Sequence, residues 1–159
     1  FFSKELLNLP QKISHLGFSM LILSIILNSI LSNEITINLK VGEKFSFRNE
    51  NIYFESLQNE KNKNYQAVVG IFKIEDEKKN IYHFQPELRI YDQPEIITSE
   101  ADIKLSLFTD KFLVMNKIKG NEYFNVRYQI KPFMLWIWVS SLLLAVGAFL
   151  SLYRRLYEK

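Results

Sequence analysis

Few side chains in this chain are equipped for chemistry, and His15 is the most informative of them. It stands two residues inside an apolar run that begins at Ile13, with Leu16 and Gly17 following. An ionisable residue in such a run is costly to place in lipid, which makes it a functional candidate by default. Two readings stay open: a neutral imidazole hydrogen-bonded to a neighbouring helix, or a neutral imidazole acting as an axial ligand of haem iron. Gly17 beside it would admit either a flat macrocycle or a second helix. His83 falls in the strand-like segment Ile81 to Gln85, alternating with Tyr82 and Phe84, and reads as an outward-facing side chain. In Pro86-Glu87-Leu88-Arg89-Ile90-Tyr91, Glu87 and Arg89 share one strand face, the spacing of a surface ion pair. Glu75, Asp76 and Glu77 with Lys78 and Lys79 read as a solvated hairpin turn rather than a cation site.

What is missing narrows the chemistry further. The 159 residues include no cysteine, which removes disulfides, thiolate metal sites and a thiol nucleophile from this chain. Five glycines leave no phosphate-binding Gly-rich loop, and there is neither a His-x-x-x-His pair nor a nucleophile elbow. No residue is assigned a catalytic role.

The elements that must position His15 are two uncharged runs of 21 residues, Ile13 to Asn33 and Phe133 to Tyr153. As helix each would measure about 31 Å, enough for a hydrocarbon core of roughly 30 Å. A secretory signal would need a shorter apolar stretch and a small-residue cleavage site. Between the runs, residues 34–131 carry 15 basic and 15 acidic side chains, so the excess of +3 lies in the flanks, on Lys4, Lys12, Arg154, Arg155 and Lys159 against Glu5 and Glu158. The positive-inside rule puts both termini on the cytoplasmic or matrix side and the middle outside. Phe133, Trp136 and Trp138 at one end of the second run, with Tyr153 and Tyr157 at the other, suit the two membrane interfaces. Ser141 and Ala145, then Gly147 and Ser151, are small residues four apart and permit close helix contact. The expected organisation is a cytoplasmic or matrix-side segment 1–12, a transmembrane helix 13–33, an extracytoplasmic domain 34–131, a transmembrane helix 132–153 and a basic tail 154–159.

The middle reads as β structure. Ile35, Ile37, Leu39 and Val41 alternate as in a strand with one buried face, and Gly42-Glu43 makes a turn. Seven more strands are expected at 45–47, 52–57, 65–74, 81–85, 88–91, 112–117 and 123–130, with 100–108 a short helix or a loop. An antiparallel sandwich or open barrel closes such a run, with Phe45, Phe47, Tyr53 and Phe72 supplying core. The fold class is thus α+β, two transmembrane helices flanking an antiparallel β domain. A neutral domain has no basic stripe for phosphates, so no nucleic-acid partner is expected.

The block Lys131-Pro132-Phe133-Met134-Leu135-Trp136-Ile137-Trp138 is similar to the Lys-Pro-Phe-x-x-Trp-Ile-Trp of the CcmF family, large membrane subunits of the system that attaches haem to c-type cytochromes. Weaker blocks follow in the same order: His15-Leu16-Gly17, Asn64-Tyr65, Pro86-Glu87-x-Arg89-x-Tyr91, Ser99-Glu100-Ala101-x-Ile103 and Asp110. From about Lys12 onward the chain resembles the C-terminal region of that family. The resemblance implies a cytochrome c haem lyase that takes haem from the chaperone CcmE and joins it to apocytochrome c, presented by CcmH-type subunits. It also implies a transmembrane haem b held by two histidines, one at His15 and the second outside this chain, in the rest of the CcmF bundle. The setting would be lipid, in a bacterial or mitochondrial inner membrane, with the middle domain in the periplasm or intermembrane space. The family's tryptophan-rich segment and its external histidines are absent, and Asp102 and Lys104 depart from the residues usual there. The chain is therefore expected to be a fragment or one piece of a split protein, and not catalytic by itself. The alternative is a membrane-anchored β domain that docks partners without touching a cofactor.

Overall fold

The computed structural model describes residues 9–157, so Lys4, Glu5, Glu158 and Lys159 among the flank charges lie outside the described residues. Two compact units form: one holds the helices with Leu105–Asp110, and the other holds Asn33–Lys104 and Lys111–Ile130.

In the first unit, α1 (Leu9–Leu31) and α2 (Met134–Tyr157) pack along one seam. Pro10 sits in the first turn of α1, where its missing N–H is no loss. Along α1 the residues withdrawn from solvent include Pro10, Ser14, Gly17, Leu21, Ser24 and Asn28, spaced alternately four and three apart as in a coiled-coil seam. Facing them on α2 are Ile137, Ser140, Leu144 and Gly147. Small residues bring the backbones together: a Cβ on Gly17 would lie 2.6 Å from the Leu144 amide nitrogen. Ser140 and Ser141 return their hydroxyls to the carbonyls of Trp136 and Ile137, at 2.6 and 2.8 Å, so the seam buries no unmet donor there. Of the small residues expected to permit close helix contact, Gly147 is buried in this seam, Ser141 is half-buried, and Ala145 and Ser151 are exposed. The other faces are apolar and open, with Leu23, Trp138, Leu142 and Phe149 all more than half exposed. Mean hydropathies of 1.8 and 2.1 over their best windows make both helices long and apolar enough to cross a membrane.

The second unit is built from ten strands in two antiparallel sheets. In chain order they are β1 (Asn33–Leu39), β2 (Lys44–Phe47), β3 (Glu50–Lys61), β4 (Tyr65–Asp76), β5 (Ile81–Phe84), β6 (Glu87–Asp92), β7 (Glu95–Glu100), β8 (Asp102–Lys104), β9 (Thr109–Lys117) and β10 (Phe124–Pro132). The sheet order is β1-β10-β9-β8 in one and β2-β3-β4-β6-β7 in the other, with β5 also paired to β4. β4 pairs β3 along one edge and shares its other edge between two strands, its C-terminal half pairing β5 and its N-terminal half β6. The break comes at Gln85-Pro86, where Gly70 N–H still donates to the Pro86 carbonyl at 2.9 Å. A Cβ on Gly70 would stand 2.8 Å from the Met115 sulfur, which is why that strand position is bare.

Both sheets contribute to one core, which includes Ile52, Phe54, Phe72, Ile74 and Phe84 from one and Leu113, Met115, Phe124, Val126 and Tyr128 from the other. Phe54 stacks on Phe72 at 4.3 Å and meets Phe124 edge-on at 5.6 Å. Phe72 is core as expected, with Phe45 and Phe47 packed against its rim. Tyr53 is not: Ile52 and Phe54 point inward, so the residue between them must point out, where Lys73 lies over its ring at 5.7 Å. Two strands lie beyond the eight expected: β7 precedes residue 101 where no element was expected, and β8 falls within 100–108, the stretch read as a short helix or a loop. β1 stops at Leu39, short of Val41, because the chain turns at Gly42 with φ +88°.

Candidate functional site

Ser14 and Gly17 fix the rotation of α1 against α2, and His15 follows from that. With about 100° between successive side chains, a residue between two seam positions is turned off the seam. His15 is accordingly exposed, and it borders an open groove of about 380 Å³ together with Gln11, Ser14, Ala148, Ser151, Leu152 and Arg155. Ala148 and Ser151 keep the α2 side of that groove shallow, and Arg155 sets a positive charge along it. Gly17 faces the other way, buried on the backbone of α2, so of its two expected uses it serves helix packing.

The other candidates lie in the β unit. His83 is exposed on β5, across from Lys73. Glu87 and Arg89 form the expected ion pair at 2.8 Å, and Arg89 also approaches Glu100 at 4.0 Å and lies 4.9 Å over the Tyr65 ring. The Glu87 hydrogen bond holds the guanidinium above its ordinary pKa, reinforcing a permanent cation. These residues border a polar groove of about 370 Å³ with Gln85, Ala101, Asp102 and Lys104. Asp102 accepts the Gln85 amide at 2.7 Å and pairs Lys104 at 3.0 Å, so every charge bordering this groove has an opposite neighbour. The acidic triplet is a hairpin turn: Asp76 accepts from the Asn80 backbone and side-chain amides, both at 2.8 Å, and these bonds lower its pKa. Among the described residues no group of three or more His, Cys, Asp or Glu could hold a metal ion.

Two arrangements escaped sequence reading. Glu50 accepts from Lys111 at 2.6 Å and from the Tyr128 hydroxyl at 2.6 Å, a triad assembled from β3, β9 and β10 that no local spacing announces. Burial, then the Glu50 carboxylate, pushes the Tyr128 pKa well above its ordinary value. The second is the segment Leu105–Asp110, fastened at Trp136 and Phe133 in the helical unit. The apolar Leu-x-Leu-Phe of residues 105–108 was its available signal.

These features define a class: two long apolar helices flank, in sequence, an antiparallel β domain of two sheets, with one histidine on the open side of the helix pair. Residues 30–132 match the family model described as the CcmF C-terminal beta-sandwich, and the chain belongs to that family. It is 27% identical over 148 residues to the cytochrome c-type biogenesis protein CcmF of Pseudomonas fluorescens, covering 93% of this chain and 22% of that protein. Against the probable cytochrome c-type biogenesis protein NrfE of Escherichia coli K12 it is 27% identical over 154 residues, 97% of this chain and 28% of the relative. The ccl1 protein of Rhodobacter capsulatus, also of cytochrome c-type biogenesis, is 32% identical over 119 residues, 75% of this chain and 18% of its own length. The chain thus spans about a quarter or less of these relatives, 18–28% of their length. A solved structure titled cytochrome c heme lyase CcmF shares the fold, with a TM-score of 0.67 at 20% identity over 89% of this chain and 24% of that one.

Proposed function

We propose that this chain is the C-terminal part of a membrane haem lyase subunit for attachment of haem to apocytochrome c, and that His15 is one axial ligand of a transmembrane haem b. The observation that carries the cofactor reading is the placement of His15: exposed, off the helix seam, beside small residues of α2 on a groove open to a further helix. An imidazole nitrogen is the donor that such an iron takes, and Arg155 offers the charge that a propionate carboxylate would meet. When bound, the haem supplies one-electron redox chemistry. The chain's own work is to present His15 on a fixed side of the helix pair, since Ser14 and Gly17, before and after it, pack against α2.

Both helices then cross the inner membrane with the termini on the cytoplasmic or matrix side, as the flank charges require. The β domain, which we read as a two-sheet sandwich, stands in the periplasm or intermembrane space as a docking surface in the CcmE, CcmH-type and apocytochrome exchange. The second histidine and the catalytic residues come from the rest of the CcmF bundle, outside this chain. His83 belongs to the β unit and takes no part in iron binding.

The test is the optical spectrum of the complete complex. It should show low-spin six-coordinate haem that His15→Ala weakens and His83→Ala leaves unchanged. Normal haem content and an unaltered spectrum in a folded His15→Ala complex would return His15 to helix packing and favour the docking-only reading.

A further inference from the structure

Leu105, Leu107 and Phe108 are 79%, 64% and 58% exposed, and from Leu105 to Thr109 the chain has no formal charge. A solvent loop of this composition would be anomalous, because an exposed cluster of large apolar side chains marks a surface that is covered in use. The backbone of the loop is prepared for a dry environment. The Ser106 amide donates to the buried carboxylate of Asp110 at 2.9 Å. The Leu107 carbonyl accepts the Trp136 indole N–H at 2.8 Å, and the Phe108 carbonyl accepts the Phe133 amide at 2.8 Å. Phe108 also stacks on Trp136 and meets Phe133 edge-on, each at 6.3 Å. Loops in water leave such groups to solvent, whereas backbone entering lipid has to satisfy them internally.

We infer that Leu105–Phe108 is an interfacial anchor that inserts its apolar side chains into the outer leaflet beside the N-terminal end of α2. The inference rests on the reading that α2 spans a bilayer. Lipid is the occupant the structure favours, because the loop is fastened to the first turn of α2, a helix whose outer sides are apolar, with Trp138 and Leu142 67% and 66% exposed. Trp136 is the joint: its ring lies at the water boundary where tryptophan is favoured, and its N–H holds the loop at that depth. The helix and the loop thereby set the depth of α2 together.

The absence of native cysteine makes spin labelling direct. Leu105→Cys, Leu107→Cys and Leu142→Cys variants of the full chain are labelled singly in phosphatidylcholine/phosphatidylglycerol nanodiscs, and collisions with oxygen and with a water-soluble nickel chelate are compared. The expected result is oxygen-dominated relaxation at all three sites, deepest at Leu142, and a shift of both loop labels toward nickel accessibility when Trp136→Phe removes the indole donor. A lipid signature at Leu142 with nickel-dominated loop labels overturns the anchor and leaves the spanning helix standing. Loop labels shielded from both reagents overturn it in favour of a protein cover, measured also in the complete complex. A nickel-accessible Leu142 overturns the membrane reading and the anchor with it.

Discussion

Replacing Gly17 by alanine tests whether α1 and α2 meet through a close-packed seam. The added Cβ would stand 2.6 Å from the Leu144 nitrogen, 3.0 Å from the Ser140 oxygen and 3.1 Å from the Leu143 carbonyl carbon. All three are backbone atoms, so no side chain can swing aside. Ordinary contact begins at 3.4 Å, which leaves the closest approach about 0.8 Å short. Overpacking of that kind costs about 1–3 kcal/mol. A gap of that width would also cost neighbouring contacts a quarter to a half of their dispersion energy. Against this, alanine improves helix propensity by about 1 kcal/mol. The net expectation is a loss centred on about 1 kcal/mol and no larger than about 2 kcal/mol in helix-pair stability, the difference of the overpacking cost and the propensity gain. Gly147→Ala should behave alike, since its Cβ would lie 2.6 Å from the Ser14 nitrogen. One separation of the helices relieves both clashes, so the double variant should lose less than the sum of the singles. Unfolding of the full chain in mixed micelles, titrated with dodecyl sulfate and followed by far-ultraviolet circular dichroism, reads these differences. Singles as stable as the parent, or a double that is strictly additive, would refute the close-packed seam.

Two further expectations concern the β domain. Glu50→Gln strands the Lys111 ammonium, whose side chain is 13% exposed, and should destabilise the fold by about 3–5 kcal/mol, while adding Lys111→Met should recover a large part of it; thermal unfolding by near-ultraviolet circular dichroism decides, and a double variant as unstable as Glu50→Gln would contradict the pairing. Tyr128 must stay protonated to donate to Glu50, and its raised folded pKa means that its contribution is complete below the ordinary tyrosine value near 10 and is lost as pH rises toward the folded value. Melting temperature should therefore fall above about pH 10, and Tyr128→Phe should lessen that fall; an equal fall in both proteins would dismiss the linkage.

Sequence patterns disclosed elements whose signal is local. The uncharged runs announced the two apolar helices, and alternation announced most strands, because burial of one face imposes period two on a single segment. β7 was missed for the same reason in reverse. It is an edge strand, Ile96 and Ile97 are adjacent rather than alternating, and both are 48% or more exposed, so no buried face writes a pattern into it. The Glu50, Lys111 and Tyr128 triad joins residues up to 78 positions apart and leaves no spacing to find. The helix seam was half legible. Small residues four apart in α2 implied close packing, but the face that packs depends on a partner, and Gly147 rather than Ala145 proved to lie there.

If His15 is the haem ligand proposed above, the seam has a bearing on it, although His15 itself lies outside the seam. Ser14 and Gly17 sit against backbone, and backbone contacts cannot be adjusted by rotamer changes. The rotation of α1 at His15 is thereby fixed to within what those contacts tolerate, and with it the side of the helix pair from which the imidazole projects. A metal ligand gains affinity when its orientation is set before binding, since less freedom is lost when the bond forms. In the haem reading, the small residues that bring the helices close would also support the ligand, by fixing the side of α1 on which it stands.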